Sequence, residues 1–483
     1  MVIIECTVTS DQRAAKFLLD GGEERRLGAW EMRTDVPWHA FPSIESVQLA
    51  KNGRTVRVVF HDGVEAMVDA SRFFSPTTPE LFIHNIGQLL TMGQNSGVGL
   101  SENTALLAGQ GRIIALGDTD DLAAQIGSAH GVSVINAHGK TVSPGLVDAH
   151  THPVFSGNRA HEFSLRLSGS PYDEILAAGG GIHNSASKTR ACDTETLLAE
   201  ASQRIRRSLA FGVTAMEAKS GYALTFDGEI KSLEVIELLN LLSPVTFSPS
   251  LLAAHVVPRE FMENRQGYVS LITESLLPVV AQRNLAIACD VFCETSAFSL
   301  EETTIILERA RELGLATRIH AGQFNSLGAV SLGARLGALS VDHLEAVSEQ
   351  EFQDLACSQT VATLLPGAAL TLGMTPPSAR PFLDRGIPVA LATDMNPGTS
   401  MTENLPLMAS LGTMQMGMTI DEAWRGITVN GARAAGLPRK GSLQPGFDAD
   451  FVICDFEDYA VLPYHFGSNH VARVFVGGRE ISI

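Results

Sequence analysis

The chain is short of aromatic residues, of basic residues and of long apolar runs, and each shortage removes a class of protein. Aromatics make up 6% of a sequence that is 45% apolar. That balance favours an aliphatic core like those lining α/β barrels over an aromatic-rich all-β sandwich. Basic residues number 35 against 53 acidic ones, for a formal net charge of -18. A body this negative repels phosphate backbones unless a basic patch is concentrated somewhere, so no nucleic-acid partner is expected. The one short cationic run, Arg204 to Arg207, sits in a helical pattern and reads as a solvated helix face. The longest apolar stretches, such as 113–117 and 360–365, fall well short of the ~20 residues a spanning helix needs, so no membrane partner is expected either. Met1 to Glu5 lacks the basic start and apolar run of a secretory leader. Six scattered cysteines form no disulfide framework and fit a reducing, cytoplasmic compartment. The closest pair, Cys289 and Cys293, reads as two small buried apolar residues.

What is present is organisation. A length of 483 residues accommodates a barrel of roughly 250 residues with small appendages. Residues 1–80 carry little helix pattern after Asp35. Ile44 to Ala50, Arg54 to Phe60 and Val64 to Asp69, separated by Asn52-Gly53 and Asp62-Gly63, predict a three-stranded meander in an extra N-terminal β module of no recognised role. The run Ser75 to Pro79 predicts a boundary. Strand-like pieces at Ala105 to Leu107 and Arg112 to Leu116, and again at Phe451 to Cys454 and Val471 to Phe475, predict that residues 81–140 and 440–483 meet in one small β domain, expected to be a β-sandwich built from both flanks. Between them, 141–439 alternates buried strands with amphipathic helices. Eight strands are expected at Thr141 to Asp148, Val213 to Lys219, Thr246 to Ala254, Ala286 to Phe292, Leu315 to Ala321, Leu339 to Asp342, Thr360 to Leu364 and Pro388 to Thr393. One helix is well marked, with Thr194 as its N-cap, Leu197, Leu198, Ala201, Ile205 and Leu209 at helical spacing, and Gly212 in the left-handed terminal position. Eight such repeats predict an α/β fold of the TIM (β/α)8 type, with its chemistry on the loops that follow the strands.

His150 and His152 follow the first expected strand. Residues two apart in extended chain face the same side, so both imidazoles can meet one metal ion. His320 and Asp394 also end expected strands, and strand ends converge at one mouth of a barrel. Neutral imidazoles with one carboxylate suit zinc, ferrous iron or manganese, so the pattern marks the site more sharply than the metal.

An HxH after the first strand, a later His and an Asp after the last resemble the amidohydrolase superfamily. The stretches DAHTHPVFSGNRAHEF, AAGGGIHNSASKTR, EAKSGYAL, LLAAHVVP, DVFCE, IHAGQ, DHLE, TLLPGAA, ALATDMNPGTS, TENLPLMASL and PYHFGSNHV narrow this. Together they resemble the imidazolonepropionase family from about Leu81 to the C-terminus, leaving residues 1–80 outside. The resemblance implies one zinc or iron ion per subunit, held by His150, His152, His320 and Asp394. It implies hydrolysis of 4-imidazolone-5-propanoate to N-formimidoyl-L-glutamate in histidine degradation, with Asp394 moving the proton and His343 donating to the oxyanion. Arg159 would pair with the carboxylate tail of the small-molecule substrate. Tyr222, His255, Gln323, Asn396, Gly398 and Thr399 would contact ring or product. A homodimer is implied by the same analogy.

Gln323 stands where related deaminases, and some imidazolonepropionases, carry glutamate. An amide orients a ring but shuttles no proton, so that work falls to Asp394 and His343. Lys219 ends strand two rather than strand four, which favours a single ion with Lys219 as a structural charge over a bridging carboxylated lysine. Ala223 stands where glycine is expected after Tyr222, which questions the local backbone shape. The competing functions are another mononuclear amidohydrolase or deaminase acting on a heterocycle or amidine, and a barrel that has lost catalysis and serves as a scaffold.

Overall fold

The computed structural model describes residues 3–9, 12, 14–19, 24–32, 43–50, 55–69, 78–94, 96–126, 131–169 and 180–483. Eight parallel strands pair each with the next: Leu146–Asp148, Val213–Lys219, Thr246–Ala254, Ala288–Cys293, Ala316–Ala321, Ser340–His343, Val361–Leu364 and Val389–Leu391. They are numbered here as barrel strands one to eight. Most of their residues are buried on both faces, because side chains fill the barrel inside and helices cover it outside.

The first strand expected from sequence, 141–148, is two. Thr141–Pro144 joins a separate sheet, and only Leu146–Asp148 enters the barrel. Gly145 between them sits so close to Thr214 that a Cβ there would collide with that side chain. Among the described residues no ladder joins strands one and eight. Val147 N donates instead to Ile427 O at 2.9 Å. The Asp148 carboxylate spans the gap, accepting from Thr393 N at 3.0 Å and Thr393 Oγ1 at 2.6 Å. Just above, Asp394 N donates to His150 O at 3.1 Å and His152 N to Met395 O at 2.9 Å. The barrel therefore closes through the segments that carry three of the four expected metal ligands.

Helix starts behind the mouth loops are locally encoded. Capping boxes pair Ser299 with Glu302, Ser348 with Glu351 and Thr419 with Glu422, satisfying orphan N–H groups at both ends of each box. The helix Thr194–Ala210 is capped by Asp193, whose side chain accepts from Thr196 N at 2.7 Å, rather than by Thr194. Gly212 follows it with φ +84, the left-handed conformation expected. The cationic run on this helix is only half solvated. Arg206 and Arg207 are exposed, but Arg204 is buried, its guanidinium 3.6 Å from the centroid of the Phe155 ring while Nη1 donates to Pro153 O at 2.8 Å. A helix that presents Leu197, Ala201, Arg204 and Leu209 to one side buries whatever lies on that stripe, charge included.

The two flanks meet in one eight-stranded sheet, ordered Arg479–Ile481, Val471–Val476, Phe451–Cys454, Thr141–Pro144, Leu81–Leu90, Leu100–Gly109, Arg112–Gly117, with Ser133–Asn136 also pairing to Leu81–Leu90. Its central hairpin has strands of ten residues where sequence showed only short pieces. Residues 1–80 supply two three-stranded meanders, Ile3–Val8, Ala14–Leu19, Glu24–Gly28 and Ile44–Leu49, Thr55–Phe60, Glu65–Asp69. The two share one core of Ile3, Phe17, Ile44, Val56, Val58, Phe60 and Val68. The Asn52-Gly53 turn and residues 75–77 of the expected boundary lie outside the described residues. Among the described residues no helix is long and apolar enough to cross a membrane.

Candidate active site

A cavity of about 790 Å³ opens at the carboxyl ends of the barrel strands. It is lined by His152, Arg159, Tyr222, His255, Gln323, His320, His343, Asp394, Asn396, Gly398 and Thr399, and of the expected site residues only His150 lies beneath it. The strand-end positions thus bring together residues up to 249 apart in sequence, as a barrel requires.

At its floor, one ring nitrogen each of His150, His152 and His320 lie within 4.8 Å of one another. His150 Nδ1 lies 2.8 Å from Asp342 Oδ2, so it carries the proton and donates, leaving a lone pair on Nε2. That Nε2 has no hydrogen-bond partner and faces Asp394 Oδ1 at 3.5 Å. Nε2 of His152 lies at the same distance from that oxygen, while its Nδ1 is buried without a partner. His320 Nδ1 lies 3.1 Å from Asp290 Oδ2, and its Nε2 also has no partner. Burial, with the cation of Lys219 and the other imidazoles adding to it, holds His150 well below the usual histidine range; burial and His320 do the same to His152. Neutral imidazole lone pairs aimed at a carboxylate oxygen repel one another unless a cation stands between them. The donor set therefore fits a single divalent ion.

The left-handed backbone at Asp394, φ +52, and at His343, φ +84, turns side chains into the mouth at positions where non-glycine residues are strained, while the adjacent Leu344, φ +68, packs into the core. Burial pushes the Asp394 carboxyl up from its ordinary value, with His343 and His320 opposing. Burial pushes the His343 imidazole down to about 3, with Asp394 opposing. His343 is therefore neutral near pH 7.

Arg159 lies at the rim of the cavity with a half-fixed guanidinium. Its Nε donates to Glu162 Oε2 at 2.7 Å, and Glu162 also accepts from Gly181 N at 3.0 Å and Asn184 Nδ2 at 3.1 Å. The Nη edge packs over Gly398, where a Cβ would come within 2.5 Å of Nη1; only glycine leaves it room. The amide of Asn396 is largely occupied by its own loop, Oδ1 accepting from Gly398 N at 2.7 Å and Thr399 N at 2.8 Å. His255 stacks on His152, 5.3 Å between centroids, and its Nδ1 lies 3.0 Å from Gly221 O. Tyr222 meets both rings edge-on. Beside it, Gly221 and Leu224 carry the positive φ values while Ala223 does not, so alanine fits the turn.

Comparison with known proteins agrees with this geometry. The amidohydrolase family model matches residues 141–481. The imidazolonepropionase of Geobacillus thermodenitrificans (strain NG80-2) is 42% identical over 413 residues, covering 83% of this chain and 97% of its own. That of Paracoccus denitrificans (strain Pd 1222) is 44% identical over 397 residues, covering 82% and 98%. The chain belongs to the imidazolonepropionase family of amidohydrolases. Among solved structures, an adenosine deaminase from Xanthomonas campestris with bound zinc superposes with a TM-score of 0.61 at 18% identity, covering 84% of this chain and 93% of its own. A triazine hydrolase from Arthobacter aurescens gives 0.62 at 16%, covering 83% and 94%. These two share the fold. Membership explains the barrel and its histidines, and it leaves to the structure what stands behind them. Sequence reading missed Asp342, Asp290 and Glu162, which hold His150, lie against His320 and hold Arg159. The first two are acidic residues inside fully buried or nearly buried strands, Asp290 in an otherwise apolar one, a pattern rare without a partner, and that was the available sign.

Proposed function

We propose that the chain hydrolyses 4-imidazolone-5-propanoate to N-formimidoyl-L-glutamate in histidine degradation, with one zinc or iron ion held by His150, His152, His320 and Asp394. The observation that carries the ion is the cluster of His150, His152 and His320 ring nitrogens within 4.8 Å of one another, with Nε2 of His150 and of His320 buried without a partner and Asp394 Oδ1 3.5 Å from Nε2 of His150 and of His152; family membership carries the substrate. When bound, such an ion acidifies a coordinated water and polarises a carbonyl.

This chain's own residues do the rest. Asp394, as a carboxylate whose affinity for a proton burial raises, accepts the proton of the attacking water and passes it to the ring nitrogen as the C–N bond to the carbonyl breaks. His343, neutral, donates a hydrogen bond to the carbonyl oxygen as negative charge gathers there, a role worth roughly 3 kcal/mol in comparable sites. Arg159, braced by Glu162, pairs its free edge with the propionate and offsets the repulsion of a body of net charge -18. Tyr222, His255 and Gln323 line the path of the ring; Asn396, Gly398 and Thr399 shape the loop beside it. Gln323 and the arginine at the rim favour ring opening over deamination.

In this reading the expected barrel of 141–439 acts as the catalytic body once Thr141–Pro144 is given to the flanking sheet, 81–140 with 440–483 act as its β domain and 1–80 as an appended module. The enzyme works as a cytoplasmic homodimer, in keeping with its six free cysteines and its family. Freshly generated imidazolonepropionate, followed by its ultraviolet absorbance, should decay on adding metal-loaded protein without release of ammonia. Unchanged decay removes the substrate assignment, and ammonia release would favour a deaminase.

A further inference from the structure

Lys219 ends barrel strand two, fully buried, below the proposed ion site. Its Nζ lies 2.6 Å from Asp290 Oδ2, 2.9 Å from Glu217 Oε1 and 3.7 Å from Asp342 Oδ2. Two of these carboxylates are the ones set against Nδ1 of His320 and of His150. All three acids are themselves fully buried, a costly arrangement unless a cation stands among them.

Asp290, His320 and Asp342 also form a second constellation whose donor atoms lie within 4.8 Å of one another, sharing His320 with the first. Asp290 Oδ1 and Asp342 Oδ1 are buried without hydrogen-bond partners. This second cradle has the size and the donors for a divalent cation, and the ammonium of Lys219 already stands against it. Arg318, the other buried cation nearby, does not reach it. Its guanidinium lies 3.7 Å from Glu217 Oε1 and is tied to the carbonyls of Ala434 and Ala435 and the hydroxyls of Ser248 and Ser340.

We propose that Lys219 takes the place of a second metal ion: its ammonium neutralises Asp290 and Asp342, bars another cation from their cradle, and keeps both carboxylates on the Nδ1 atoms of His320 and His150, so that each Nε2 is turned to the single ion. This rests on the reading that His150, His152, His320 and Asp394 hold that ion. Lys219 is thus a positioning residue, acting through two aspartates. Burial opposes its charge, but the surrounding carboxylates outweigh burial and hold the ammonium firmly protonated.

The test is equilibrium dialysis of the full-length, metal-stripped protein against zinc, with metal analysis of the retained protein. Wild type should hold one equivalent. Lys219→Met should take up a second equivalent and bind the first at least about tenfold more weakly, the loss usual when the groups behind metal ligands are disturbed. A folded Lys219→Met that binds one equivalent with wild-type affinity overturns the proposal. Should Lys219→Met fail to fold, Asp342→Asn decides, since it keeps the shape and leaves Lys219 paired with Asp290 and Glu217. It should lose about tenfold in zinc affinity while the melting temperature of the metal-free protein stays within about 2 °C; unchanged affinity overturns the proposal equally. Failure of the ion reading looks different: wild type would hold no zinc, or His150→Asn would hold as much as wild type.

Discussion

The barrel mouth and the N-terminal module solve folding in opposite ways. In the module, among the described residues, the buried side chains are apolar, Ile3, Phe17, Val56, Val58 and Phe60 alternating inward along short strands. At the mouth the buried side chains are His150, Asp394, Lys219, Asp290 and Asp342, and the adjacent pair His343 and Leu344, together with Asp394, sit at positive φ. The module spends its interior on the hydrophobic effect, which any well-filled arrangement supplies. The mouth holds desolvated charges that are stable only in one mutual arrangement, and that arrangement is what gives it chemistry.

The contrast can be broken most severely at Asp394. Asp394→Asn keeps the shape of the loop and removes the carboxylate proposed to move the proton; kcat should fall about 10²–10⁴-fold while substrate still binds, measured by steady-state rates and by calorimetry of binding. If kcat survives, the proton passes elsewhere. A module change of comparable energy should leave function alone. Phe60→Ala removes a fully buried ring and should cost about 3–5 kcal/mol of module stability by hydrogen exchange, with metal content unaltered. Loss of metal there would show that the two regions fold as one.

Arg159→Ala should act on binding, raising KM about tenfold or more as a charge-assisted pair is lost, with little change in kcat. Wild-type KM in that variant would disconnect Arg159 from the substrate tail. A gentler probe is Glu345, a buried carboxyl beside His343, their nearest atoms 4.0 Å apart. Burial pushes it up to about 8 from an ordinary 4.5, with Asp394 adding to the shift. Because its folded value is the higher one, its contribution to stability is full below pH 4.5, declines as pH rises and is gone above about 8. The stability of Glu345→Gln relative to wild type should therefore rise across that window in urea melts of metal-free protein, and a flat difference would place the carboxyl in water. Smallest of all is the effect expected from deleting residues 1–80: kcat/KM within about threefold of wild type, since among the described residues the partners of its side-chain contacts, such as Glu237 for Arg26 at 3.5 Å, do not line the cavity. A larger drop would give the module a part in the site.

Much of this was legible along the chain. The meander at 44–69, the eight barrel strands to within a few residues and the placing of His150, His152, His320 and Asp394 at or just beyond their ends all follow from local alternation, turn residues and spacing. The errors share a cause. The split of 141–148 at Gly145, the ten-residue hairpin of the flanking sheet and the burial of Arg204 against Phe155 depend on neighbours distant in sequence, which a window of periodicity does not contain.

By itself the sequence determined which residues stand at strand ends and which family's chemistry they can perform, because a strand's alternation and a turn's φ are properties of a few consecutive residues. Only the tertiary structure decided that Asp342 grips His150 across 192 positions, that Asp148 closes the barrel on Thr393 across 245, and that Lys219 stands among Asp290, Glu217 and Asp342. Buried charges select their partners through the three-dimensional arrangement of the whole barrel, and Coulomb energy in a desolvated interior depends on distance in space, not on distance along the chain.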